Sequence, residues 1–156
     1  ITYNNVAKAV GVARAAARAG LPLMVSFTLD SDGRLKSGPS LNQAIKAVDA
    51  EAGDARPDFY GINCSHPLEF EPALEPGDWM SRVRSLRPNA AMMDKQQLCQ
   101  IGHLEDGDPV ALGEQMGALA RRFSHVDVWG GCCGTWERHL EEIARNVLSV
   151  RRASTA

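Results

Sequence analysis

Short apolar runs alternate with longer stretches of helical periodicity along the whole sequence, and no other feature restricts the fold as strongly. Residues 6–19 are rich in Ala and Arg, follow Asn4 and Asn5 as candidate N-caps, and stop at Gly20, which predicts a helix. Residues 21–28 (LPLMVSFT) form a continuous apolar run ending in aromatic and β-branched residues, as expected of a strand buried on both faces. The turn residues Asp32-Gly33 and Gly38-Pro39 follow. Ser40 is then positioned to cap a helix to about residue 52, with Leu41, Ala44, Ile45 and Val48 on one face. The cycle repeats. A strand over residues 58–63 ends at Cys64, a Pro-rich loop leads to a short helix over residues 78–86, and residues 90–93 make a third strand. A helix over residues 110–123, a fourth strand over 126–129 and a last helix, capped by Thr135 and reaching about residue 150, complete the pattern.

Strands alternating with helices build βαβ units and a parallel sheet, so the class is α/β. Four strands with five helices fall short of a closed (β/α)8 barrel, which takes roughly 200 residues or more, against 156 here. Periodicity leaves two architectures open: a small doubly wound sheet and half of a barrel. The chain begins at Ile1 without an initiator Met and enters a helical pattern within a few residues, so the expectation is a piece of a longer protein.

Composition narrows function more than fold. Apolar residues at 44% are ordinary for a folded domain. A net charge of -2 without a Lys/Arg run argues against nucleic acid, whose binding depends on neutralising phosphates. No apolar stretch reaches the roughly 18 residues that span a bilayer. No basic segment precedes an apolar one near the N-terminus. Neither nucleic acid nor a membrane is expected as a partner, and the expected location is cytoplasmic.

Four cysteines stand at positions 64, 99, 132 and 133. A bond between the neighbours Cys132 and Cys133 would be strained, and a reducing compartment favours thiolates held by a metal over disulfides. Cys64 follows the second predicted strand and the Cys132-Cys133 pair follows the fourth. Functional side chains of parallel βα folds collect at the carboxyl ends of strands, so all three thiols are expected on one rim. Two strand spacings amount to ~10 Å. Zn–S bonds of ~2.3 Å bridge that gap only if the sheet curves, which favours a barrel. Adjacent residues normally point to opposite faces, and Gly130, Gly131 and Gly134 are expected to release the backbone from that constraint through φ > 0 and close approach. Three thiolates would leave a tetrahedral zinc one open position, the usual form of a catalytic site. Inert buried thiols remain an alternative, as does redox chemistry at Cys132-Cys133.

The run Gly61-Ile62-Asn63-Cys64, followed by Ser65-His66-Pro67, together with Gly130-Gly131-Cys132-Cys133-Gly134-Thr135, resembles the paired signatures of the homocysteine S-methyltransferase family. Ser26-Phe27-Thr28, Asp32-Gly33-Arg34-Leu35 with Ser37-Gly38, Arg87-Pro88-Asn89-Ala90 and Asp106-Gly107-Asp108-Pro109 resemble further family segments. The similarity runs from about Val6 to Val150. It implies a (β/α)8 TIM-barrel type of fold, of which residues 1–156 supply about the C-terminal half as four βα units with parallel strands. It also implies a catalytic zinc held by Cys64, Cys132 and Cys133, with no catalytic group beyond those ligands. The implied reaction moves a methyl group from an onium donor, S-methylmethionine in preference to betaine, to the thiol of homocysteine, giving methionine. Strands one to four, and the segment bearing glutamate and threonine that helps hold homocysteine, have no counterpart here. A missing N-terminal half-barrel or a second copy is therefore expected as partner. Lys8 stands where relatives carry an acidic residue. Two readings from other classes stay beside this one: a non-catalytic zinc-binding half-barrel module and a dithiol redox protein.

Among other residues, Asn63 is a candidate to orient substrate or to hydrogen-bond a ligand thiolate, and Ser26 is a candidate substrate contact. His66 reads as a neighbour of the metal ligands or as the start of a loop. Cys99 reads as a free thiol, and His103, His125 and His139 as surface or capping residues. Trp79, Trp129 and Trp136 read as packing residues.

Overall fold

The computed structural model describes residues 1–92 and 105–153. Five parallel strands form one sheet: β1 (Thr2–Tyr3), β2 (Met24–Phe27), β3 (Phe59–Asn63), β4 (Val83–Arg87) and β5 (Val128–Trp129). The helices are α1 (Val6–Arg18), α2 (Leu41–Ala52), the single turn α3 (Pro67–Phe70), α4 (Pro109–Arg122) and α5 (Glu137–Ala153). Spatial strand order is β1-β2-β3-β4-β5, the order of the chain. A doubly wound sheet reverses direction at a switch point, whereas right-handed crossovers in unbroken sequence put every helix on one side. The winding is that of a (β/α)8 barrel, and it excludes the open doubly wound alternative.

Local chemistry sets the helix ends. The Asn5 side chain accepts the backbone N–H of Lys8 at the start of α1. At its end Gly20 takes φ +65, with Leu21 N–H returning to the Ala16 carbonyl and Gly20 N–H to the Ala17 carbonyl, a Schellman closure. Ser40 and Gln43 cap α2 reciprocally, side chain to backbone in both directions. On the helix side of the sheet, Val25, Phe27, Tyr60, Ile62, Val83 and Leu86 pack with Val10, Ile45, Val48, Leu112 and Met116 into one apolar cluster. The phenol of Tyr60 ends in a hydrogen bond to Asp49 on α2.

The opposite face is built differently. Ser26, Gly61 and Ser85 are register partners on β2, β3 and β4, so they share that face. A methyl group on Gly61 would stand 2.8 Å from Ser26 Oγ and 2.9 Å from Ser85 Cβ. The two serines therefore close over the glycine from both sides. This is the inward curl that a barrel wall requires, and small residues make room for it.

Two expected elements are corrected. Residues 78–86 form no helix: Asp78–Arg82 is a 3-10 segment and Val83–Arg87 is strand β4. Residues 90–92 are outside any strand, and residue 93 lies outside the described residues. The cause is a register shift between Tyr60 and Gly61, which pair with Val83 and Ser85 and leave Arg84 as an extra residue. Val83 and Leu86 consequently face the core three positions apart, a spacing that imitates a helix. The strand β1 was also unanticipated. It is two residues long and carries no apolar run.

Candidate metal centre

The sheet topology brings the strand ends together in a fixed order. Cys64 follows β3, Cys132 and Cys133 follow β5, and β4 lies between them. Cys64 holds a left-handed backbone, φ 58, the one non-glycine residue with positive φ among the described residues. Such a conformation is unfavourable by roughly 1–2 kcal/mol for an L-residue and persists where surrounding contacts over-determine it. Those contacts are visible. The Ser65 hydroxyl donates to the Leu29 carbonyl and accepts the Leu29 N–H, tying the loop after β3 to the loop after β2.

The segment after β4 joins the two cysteine loops. Asn89 N–H donates to the Ser65 carbonyl, Ala90 N–H to the Cys133 carbonyl, and Cys132 N–H to the Pro88 carbonyl at 2.7 Å. The hydroxyl of Thr135 donates back to the Cys132 carbonyl, so it closes the turn and does not cap α5. The first turn of α5 is served instead by buried His139, whose Nδ1 accepts the Trp136 N–H while Nε2 faces the Asp106 carbonyl. Of the three glycines expected to bend this segment, only Gly134 has positive φ, +76. Gly131 serves close approach, since a methyl group there would lie 2.2 Å from Thr135 Oγ1.

The result is a cluster in which the Sγ atoms of Cys64, Cys132 and Cys133 lie within 4.8 Å of one another. Cys64 and Cys132 are 2.7 Å apart and Cys132 and Cys133 4.0 Å, and all three are free cysteines. The Asn63 amide donates to Cys64 Sγ at 3.0 Å and reaches Cys132 Sγ at 3.9 Å, while its carbonyl oxygen accepts the Thr2 hydroxyl at 3.0 Å. A hydrogen bond from Cys64 holds the Cys132 thiol below its ordinary range, aided by the Asn63 amide. Giving that hydrogen bond raises Cys64 in turn, and burial adds to the rise. Burial also raises Cys133.

These sulfurs suit a thiophilic cation. A tetrahedral set with Zn–S bonds of ~2.3 Å has sulfurs ~3.8 Å apart. The Cys132–Cys133 pair already stands near that separation, and the Cys64–Cys132 pair would open by about 1 Å. Cys64 and Cys132 are half-buried and Cys133 is exposed, so solvent reaches the cluster on the Cys133 side.

The other candidates are distributed unevenly. Ser26 is fully buried one layer below Asn63 on the inner face, and its hydroxyl has no hydrogen-bond partner among the described residues. His66 caps α3 through Nδ1, which accepts the Leu68 N–H; burial lowers its pKa. Trp79 belongs to the core, Trp129 packs against it, and exposed Trp136 donates to the Asp106 carboxylate. His125 bonds the Met80 carbonyl. Cys99 and His103 lie outside the described residues. Sequence reasoning passed over Thr2, Ser65 and the backbone of Pro88, Asn89 and Ala90. Ser65 and the Arg87–Ala90 segment had a signal, since both stand in the motifs quoted above, whereas Thr2 had none.

The profile of the homocysteine S-methyltransferase family matches residues 2–147. The chain is 29% identical over 150 residues to methionine synthase of Mycobacterium tuberculosis (strain ATCC 25618 / H37Rv), covering 94% of this chain and 12% of that protein. It is also 29% identical over 145 residues to methionine synthase of Mycobacterium leprae (strain TN), covering 90% of this chain and 11% of that one. The chain therefore spans a small part of the length of these relatives. With a matching profile over nearly all its residues, this chain belongs to the homocysteine S-methyltransferase family.

Proposed function

We propose that residues 1–156 supply the second half of a homocysteine-binding barrel that transfers a methyl group from an onium donor to homocysteine, with Cys64, Cys132 and Cys133 holding zinc. The observation that carries this reading is the convergence of three sulfurs from two strand ends within 4.8 Å. When bound by three thiolates, zinc leaves one position for an incoming thiol and makes that thiol a thiolate at neutral pH. The chain's own residues do the rest. Asn63 holds the Cys64 and Cys132 sulfurs by its amide, and the Ser65, Pro88 and Ala90 contacts keep the two cysteine loops in register.

In the reaction the homocysteine sulfur attacks the methyl carbon in line. The new S–C bond forms as the onium bond breaks, the donor leaves as a neutral molecule, and the thiol proton passes to solvent. A sulfonium such as S-methylmethionine is favoured over betaine because a neutral thioether leaves more readily than an amine. The cytoplasm, a reducing compartment, suits free thiols of this kind. A redox role for Cys132-Cys133 fits less well, since the shorter sulfur contact joins Cys64 to Cys132.

The test uses the full-length protein. Zinc content by plasma mass spectrometry and methionine formation from homocysteine with either donor are measured for the native protein and for Cys64→Ser, Cys132→Ser and Cys133→Ser. One zinc per chain with methionine formed, and both lost in each variant, is the expected result. Zinc without methionine would identify a binding module, and methionine formation undiminished in the serine variants would refute the assignment.

A further inference from the structure

Arg87 ends β4 as the register partner of Asn63, between the strand that leads to Cys64 and the strand that leads to Cys132. It therefore shares the inner face with Asn63 and Gly61. Its stem lies over Gly130, where a methyl group would stand 3.5 Å from Arg87 Cγ and 3.7 Å from Cδ. Those are ordinary van der Waals separations, so the stem packs along the backbone of β5's end. The residue is half-buried, and its Nε is shielded from solvent without a hydrogen-bond partner among the described residues. No ion pair among the described residues includes it. Elsewhere in the protein half-buried arginine is matched: Arg82, on the helix side, meets Asp49 and two backbone carbonyls. A shielded guanidinium N–H without an acceptor is unfavourable, and the planar fork selects carboxylates.

We propose that Arg87 is the anchor for the α-carboxylate of the thiol substrate, a residue that sets specificity at the acceptor site. This inference rests on the function proposed above. Neighbouring strands are ~4.8 Å apart, so Arg87 stands about one strand from Asn63, whose amide touches the sulfurs. In homocysteine four bonds separate sulfur from the carboxylate carbon, a reach of roughly 5 Å. A sulfur seated at the cysteine cluster thus brings its own carboxylate to Arg87. A zwitterionic donor also carries a carboxylate, but its methyl end approaches from beyond the acceptor sulfur, which leaves its carboxylate farther from β4.

The test is calorimetric binding to the zinc-loaded, full-length protein. The titrants are homocysteine, 3-aminopropane-1-thiol, which lacks the carboxylate, and S-methylmethionine. Arg87→Met is expected to weaken homocysteine roughly 10- to 100-fold, the range of a charge-assisted hydrogen-bonded pair, with 3-aminopropane-1-thiol unchanged. Arg87→Lys, which keeps the charge and loses the fork, is expected to recover part of the affinity. Equal weakening of both thiols, unchanged homocysteine binding, or a loss confined to S-methylmethionine would each overturn the assignment. Native protein that binds homocysteine in this way yet forms no methionine would refute the methyl-transfer reading and leave the Arg87 anchor standing.

Discussion

At the scale of single residues, the cysteines were legible because Cys64 and the Cys132-Cys133 pair sit in motifs that end strands. The way they are held was not. Nothing in a cysteine's identity announces φ 58, and the contacts that impose it come from Ser65, a residue whose polar side chain reads as ordinary loop. Asn63 carries the clearest residue-level prediction. Its amide donates to two sulfurs, and outer groups of this kind influence metal affinity by roughly 10- to 100-fold. Asn63→Ala is expected to weaken zinc by that order in a chelator competition; affinity equal to the native protein's would show that the amide is idle. His66 gives a pH prediction. Burial lowers its pKa from the ordinary imidazole value of 6.5, and its neutral Nδ1 accepts the Leu68 N–H. The unfolded imidazole binds a proton near that value while the folded one resists, so this contribution is complete above pH 6.5 and declines as pH falls below it. His66→Asn, which keeps an acceptor and removes the titration, is expected to flatten the fall in melting temperature between pH 7 and 5, measured with zinc chelated in both proteins.

At the scale of elements, the long helices were readable because their caps and apolar faces obey local rules: Asn5 and Gly20 bound α1, and Ser40 starts α2. Strand β4 was misread because its bulge at Arg84 puts Val83 and Leu86 on one face three residues apart. Sheet position overrides local pattern there, since β4 fills the slot between β3 and β5. The Ser40 cap and the Gly61 contact set two stability predictions of different origin. Ser40→Ala removes one side-chain acceptor and is expected to cost about 1 kcal/mol in denaturant unfolding. Gly61→Ala forces a methyl group against Ser26 Oγ and Ser85 Cβ and is expected to cost about 1–3 kcal/mol. Adding Ser85→Gly should return part of the second loss. If Gly61→Ala proves neutral, the sheet is less sharply curled at that point than the serine contacts require.

At the scale of the whole molecule, the open question from periodicity was the direction of winding, and strand order answers it. Five parallel strands in chain order form an arc with helices on one side and a small, polar inner face on the other. Sequence placed β2, β3 and β5 but not their order in space, because crossover geometry is a property of the assembled sheet. The arc is also what makes the metal reading coherent: only a curled wall lets sulfurs two strands apart converge. The most direct measurement of that claim is zinc-edge X-ray absorption on the full-length protein, before and after homocysteine is added. The account predicts three sulfur neighbours at about 2.3 Å with one lighter atom, changing to four sulfurs when homocysteine binds. Fewer than three sulfurs, or a coordination shell that homocysteine leaves unaltered, would contradict it.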